Sequence, residues 1–193
     1  MKLRRGFIKE AEELAMSFRQ GLGVSASDPL CVLALCEWLE IPLHRLSDIK
    51  GLSNDIKVRL LGTGAADTKF FAVTMKPNGI SEILYNDFVS SNRQRSDIAH
   101  EVAHIVLGHK PSIITSEKGC RAYNAELERE AHELGYTILV PKFSALSAVE
   151  NFNRREDAAK HFQVSKSLME YRIRKSGADG WAYNRRKKRV QGR

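Results

Sequence analysis

Apolar residues recur at helical spacing from the start of the chain. Phe7, Ile8, Ala11, Leu14, Ala15 and Phe18 put one apolar face on a helix predicted over residues 6–20. Asp28 as N-cap and Pro29 in the first turn open a second predicted helix. Its Leu30, Val32, Leu33, Leu35, Trp38 and Leu39 are apolar nearly all round, which predicts a buried segment. A short helix is predicted over 54–61. The period then changes. Residues 70–75 and 80–85 are strand-like, and Lys76-Pro77-Asn78-Gly79 between them carries an Asn-Gly turn signal, so a hairpin is predicted. Helical spacing returns over 92–108, with Ser91 as N-cap and Gly108, then Pro111, as stop signals. A further helix starts near Ala125 and continues through Leu134, Ile138 and Leu139. Residues 156–162 and 166–175 read as two helices around a Gln163-Val164-Ser165 turn, with Leu168, Met169 and Ile173 inward. This layout predicts an α+β fold: a mainly helical core with a small β-sheet, plus a C-terminal helical hairpin.

The helix over 92–108 carries the chemistry. It contains His100-Glu101-Val102-Ala103-His104. Two histidines four apart on a helix share a face one turn apart, so both can reach one metal ion. Glu101 can hold and deprotonate a water that the metal polarises, which is the HExxH arrangement of zinc peptidases. Ile98, Ala99, Ile105, Val106 and Leu107 supply the apolar surroundings that a buried metal helix needs. A catalytic zinc takes a third protein ligand. The acidic run from Glu126 to Glu133 supplies candidates, and spacing does not choose among Glu126, Glu128, Glu130, His132 and Glu133. Zinc is the default metal for two His and one Glu, with Mn2+ or Fe2+ as other occupants. In zincins an edge strand beside the metal helix binds the substrate backbone, and the strand over 80–85 is expected to do so here, with Ile83, Tyr85 and His132 as substrate-binding residues. His132, Tyr136 and Tyr85 are the candidates for stabilising an oxyanion.

The segment Glu128-Arg129-Glu130-Ala131-His132-Glu133-Leu134-Gly135-Tyr136-Thr137-Ile138-Leu139-Val140-Pro141 resembles the second motif of the ImmA/IrrE family of metallopeptidases. That motif reads E-x-E-A-N/D, an aromatic and small residues, then L-L-x-P. Upstream, Arg95-Ser96-Asp97-Ile98-Ala99-His100-Glu101 is similar to the family's R-x-x-x-A-H-E. The resemblance covers most of residues 6–175. It implies a zincin-like core with His100, His104 and Glu130 as metal ligands and Glu101 as general base. Two positions depart from the motif: His132 stands for Asn or Asp, and Leu134-Gly135 for Phe-Ala. The family also implies a substrate, a helix-turn-helix transcriptional repressor cleaved in an antirepressor or stress-response role. The rival reading is a non-proteolytic DNA- or protein-binding regulator, or a toxin–antitoxin component, with a structural metal. For that reading Arg172, Arg174 and Lys175 are the residues able to meet phosphates from the second helix of the C-terminal pair.

Composition sets the frame. The chain has 193 residues, 42% hydrophobic, enough for one well-buried domain. The expected division is a metallopeptidase domain over 1–150, a helical appendage over 151–178 and a disordered basic tail over 179–193. Of the +8 net charge, six positives lie at Arg185, Arg186, Lys187, Lys188, Arg189 and Arg193, leaving +2 for the rest. Such a tail can hold DNA without sequence preference. There is no apolar run of membrane-spanning length and no signal core after Met1-Lys2-Leu3-Arg4-Arg5-Gly6, so a cytoplasmic location is expected and no membrane partner. Three cysteines without a CxxC fit reduced thiols, with Cys31 and Cys36 expected in the core.

Overall fold

A computed structural model describes residues 3–51, 71–109 and 124–191, and the helix expected over 54–61 lies outside them. The described elements run α1 (Phe7–Gly21), α2 (Val32–Trp38), β1 (Leu43–Arg45), β2 (Ala72–Met75), β3 (Glu82–Tyr85), α3 (Ser91–Val106), α4 (Ala125–Leu139), α5 (Lys142–Asn151), α6 (Arg155–His161), α7 (Lys166–Ser176) and α8 (Ala178–Gln191). The fold is α+β and zincin-like, mainly helical with a three-stranded sheet. The chain divides into two compact units, residues 1–3 with 32–135 and residues 4–31 with 136–193. The boundaries expected at 150 and 178 are not the ones that separate these units. The expected basic tail over 179–193 is helix α8 through Gln191, where Ala178 and Ala182 are buried on one face. No helix among the described residues is long and apolar enough to cross a membrane.

In the first unit, β2 and β3 form the expected antiparallel hairpin, with Ala72 opposite Tyr85 and Met75 opposite Glu82. Asn78 takes a left-handed φ of 54° in the connection, as an Asn in a tight turn tolerates. β1 joins on the other side of β3, parallel, with Leu43 opposite Ile83. The sheet order is therefore β1-β3-β2, and β3 is its central strand. α3 packs against β2 and β3, and α2 packs against α3. Ile98, Ala99, Val102 and Ala103 form the buried face of α3. α2 is half exposed, contrary to the all-round burial expected. Val32, Leu35 and Cys36 are inward, while Leu33 and Trp38 are about half exposed and Cys31 lies at the surface. Asp28 does not cap it, since the helix opens at Val32.

α4 meets α3 at a glycine. A Cβ built on Gly135 would sit 3.1 Å from the Ala99 carbonyl carbon and oxygen and from His100 Cα. Those are backbone atoms of a packed helix and cannot swing aside. A side chain here would force the two backbones apart by a few tenths of an ångström, which glycine avoids.

The second unit closes around two buried arginines. Arg19 of α1 donates to the carbonyls of Ser25, Asp28 and Leu139 at 2.9, 2.9 and 3.1 Å. Burial lowers its pKa to about 10, opposed by Asp28, so it stays charged at neutral pH. Arg172 of α7 is 1% exposed, donates Nε to Val140 O at 2.8 Å and reaches Glu12 Oε1 at 2.6 Å. Glu12 Oε2 accepts from Lys142 N at 2.8 Å, so one α1 carboxylate holds both α5 and α7. This changes the DNA-reading expectation: Arg172 is spent inside the unit and cannot meet a phosphate, whereas Arg174 and Lys175 are exposed. The Gln163-Val164-Ser165 turn is as expected, with the Ser165 hydroxyl accepting from Leu168 N at 3.1 Å to cap α7.

Two substitutions test this packing by denaturant unfolding. Gly135→Ala gains about 1 kcal/mol of helix propensity but forces backbone apart at an overpacking cost of about 1–3 kcal/mol, so a net loss is expected, larger for Gly135→Val. Arg172→Ala strands Glu12 in a mostly buried setting and lowers stability by about 3–5 kcal/mol, while Arg174→Ala changes it by less than about 0.5 kcal/mol.

Candidate metal centre

The site lies within the first unit. His100 and His104 stand one turn apart on α3, so their imidazoles leave the helix on one side. Their Nε2 atoms are 3.1 Å apart, and the rings meet edge-on at 82°. From the first turns of α4, Glu128 Oε2 comes to 3.2 Å of His100 Nε2 and 3.6 Å of His104 Nε2. Among the described residues these three form a group whose donor atoms are close enough to share an ion.

Their spacing fits a divalent metal. A tetrahedral ion with bonds of about 2.1 Å has ligand atoms about 3.4 Å apart, and 3.1, 3.2 and 3.6 Å bracket that edge length. Protonation points the same way. Burial lowers the pKa of His104, as does the charge of His100, against the opposing pull of Glu101 and Glu128. The neutral imidazole so favoured is the form that ligates.

Glu101 is 5% exposed. Its Oε2 accepts a hydrogen bond from Thr74 Oγ1 at 2.6 Å. Thr74 lies on β2, an edge strand of the described sheet, so a strand side chain fixes the acid of the HExxH helix. This contact was not legible in the sequence, because it joins residues 27 apart across a strand–helix packing that periodicity does not specify.

The carboxylate at the histidines is Glu128 where Glu130 was expected. Glu128 lies seven residues, or two turns, before Gly135, on the face of α4 that touches α3. Glu130 stands about 200° further round the helix, and its Oε2 lies 3.6 Å from His109 Nε2. His109 in turn has its Nδ1 3.0 Å from His104 Nδ1. Burial lowers the pKa of His109, against the pull of Glu130. The five-residue interval from His104 to His109, across a glycine, is the signal that the sequence carries for this contact.

The residues expected to hold substrate fall differently. Ile83 and Tyr85 are 0% and 6% exposed. They lie on β3, which is hydrogen-bonded on both sides, so that strand has no edge on which a peptide could add. Tyr85 Oη accepts from Arg45 Nε at 3.3 Å. The reason for the difference is β1, which is short and polar, leaves no strand pattern in the sequence, and by pairing with β3 puts that strand at the centre of the sheet. Tyr136 stacks edge-on with Tyr171 at 5.6 Å in the second unit. His132, four residues after Glu128, is exposed at its own position, and its pKa is lowered by partial burial and by the charge of His100.

No curated protein sequence matches the chain. A family model described as the IrrE N-terminal-like domain, Peptidase_M78, matches residues 53–174. The matched span is well over half of the chain and contains His100, Glu101, His104, Glu128 and Glu130. A metallopeptidase-type function, a metal cofactor and a protein as substrate go with that match, and the two histidines and one carboxylate gathered between α3 and α4 are the donor set such an enzyme needs: the chain belongs to the IrrE N-terminal-like family of metallopeptidases, Peptidase_M78.

Proposed function

We propose that the chain is a zinc-dependent endopeptidase in which His100, His104 and Glu128 hold the metal and Glu101 is the general base. The observation that carries this is the triangle of donor atoms at 3.1–3.6 Å, one residue from a buried glutamate. Two imidazoles and one carboxylate suit Zn2+, and Mn2+ or Fe2+ suit the same donors. When bound, the metal supplies Lewis acidity, making water a nucleophile near neutral pH and polarising the scissile carbonyl. Glu101 takes the proton from that water and delivers it to the departing amine. Thr74 fixes one oxygen of Glu101, leaving the other to receive the proton. His132, beside the ligand face of α4, is the remaining candidate for stabilising negative charge on the carbonyl oxygen.

Substrate strand addition is assigned to β2. It is one of the two edge strands of the described sheet and the one whose Thr74 already touches the general base, so a peptide paired along it passes the site in extended form. The family resemblance supports a helix-turn-helix repressor as substrate, cut in the cytoplasm in an antirepressor or stress-response role. The rival reading, a non-proteolytic regulator binding DNA through the C-terminal hairpin or a toxin–antitoxin partner, loses one of its phosphate contacts with the burial of Arg172.

The purified chain is expected to contain about one equivalent of zinc and to cut a purified helix-turn-helix repressor encoded by the neighbouring gene. Glu101→Gln keeps the metal and abolishes cleavage, whereas Glu128→Gln loses the metal as well. Metal analysis beside a gel-based cleavage assay separates the two, and equal zinc loss from Glu130→Gln would reverse the ligand assignment. Thr74→Val removes a hydrogen bond to a charged oxygen worth about 1.5 kcal/mol, so turnover falls about tenfold with zinc content unchanged, read from steady-state kinetics.

A further inference from the structure

The end of α3 has a built polar extension that the ligand set alone does not explain. Gly108 follows the helix with φ +65°, a left-handed conformation that side-chain-bearing residues rarely adopt. Gly108 N donates to Ile105 O at 3.0 Å, and His109 N donates to His104 O at 3.0 Å. These are the paired bonds of a Schellman turn, which reverses the chain and returns the residue after the glycine over the helix's last turn. In most such turns an apolar pair makes that returning contact. Here it is made by imidazoles: His104 and His109 stack edge-on, ring centroids 5.1 Å apart, with Nδ1 facing Nδ1 at 3.0 Å. The other nitrogen of His109 faces Glu130 Oε2 at 3.6 Å. The His109 and Glu130 side chains are 6% and 13% exposed, so bulk water does not compete freely for these contacts.

Proton placement follows from the donors. On the assignment of His104 as a metal ligand, its Nε2, which faces His100 and Glu128, carries no proton. The ring proton then sits on Nδ1 and donates to His109 Nδ1. His109 accepts there and therefore carries its own proton on Nε2, turned toward the Glu130 carboxylate. Each link fixes the next, and the carboxylate at the end sets the direction of the whole chain.

We propose that His109 and Glu130 are positioning residues for the metal ligand His104, held against it by the Schellman turn at Gly108 so that its Nε2 is presented unprotonated to the metal. The inference rests on the ligand reading above, and it gives the two glutamates of the Glu128-Arg129-Glu130 segment separate tasks, one at the ion and one behind a histidine.

The test uses the full chain in two measurements. Long-range 1H–15N correlation spectra of the metal-free protein report which ring nitrogen is protonated, and the expected pattern is Nδ1–H at His104 and Nε2–H at His109. Zinc affinity is then measured by competition with a chromophoric chelator. His109→Phe, which keeps an aromatic ring but has no acceptor, is expected to weaken zinc binding by about 10–100-fold. His109→Asn, whose amide oxygen can accept from His104, restores most of that loss, and Glu130→Gln weakens binding by a smaller factor. A purely structural role for His109 would not be rescued by Asn. Wild-type zinc affinity in His109→Phe, or a proton on Nε2 of His104 in the metal-free chain, overturns the relay while leaving the peptidase reading intact. If the wild-type chain binds no zinc, both fall together.

Discussion

The backbone contact at Gly135 is the constraint on which the metal centre depends. A carboxylate can join two histidines of another helix only if the helices come close enough for a short side chain to span the gap. At Gly135 the approach is limited by main-chain atoms of Ala99 and His100 themselves. Two turns earlier on the same face, Glu128 is carried to within 3.2–3.6 Å of both imidazoles. A glycine in the middle of a helix is unfavourable for the helix by about 1 kcal/mol relative to alanine. That local penalty is offset by the packing it permits, and the donor set follows from the packing.

The second dependency runs from sheet to base. α3 rests on β2 and β3, and its buried face of Ile98, Ala99, Val102 and Ala103 turns Glu101 toward the sheet rather than into solvent. A buried carboxylate without a partner would be costly. Thr74 supplies the hydrogen bond that makes the position tenable. Glu101 is thus held by a strand while the histidines are held by a helix, and the two supports are independent. The C-terminal helices show the same economy in the second unit, where Arg172 and Glu12 join α1, α5 and α7 through one ion pair and its backbone contacts. A pair of helices that looks like a DNA-reading hairpin from charge spacing is a packing element at Arg172, one of the three residues named for that reading.

Polar residues at helix ends do different work from those on helix faces in this chain. His109 follows α3 and folds back on it, because Gly108 takes the left-handed turn. Glu128 and Glu130 lie two positions apart near the start of α4 and consequently address different partners, the imidazoles of His100 and His104 and that of His109.

The sequence by itself determined the helix bearing His100, Glu101 and His104, the β2–β3 hairpin, the α6–α7 pair and the family, because those features are periodic or local: i,i+4 spacing, Asn-Gly turn chemistry, a five-residue motif. It narrowed the carboxylate beside the histidines to the acidic start of α4. Only the tertiary structure brought Glu128 rather than Glu130 to the two imidazoles, since that depends on which face of α4 meets α3. It also decided the place of β3 at the centre of the sheet, because β1 is three residues long with two exposed polar side chains and leaves no hydrophobic pattern to read. The burial of Arg172 and the union of Thr74 with Glu101 are likewise settled by contacts between residues far apart in the chain, whose energies no local pattern encodes.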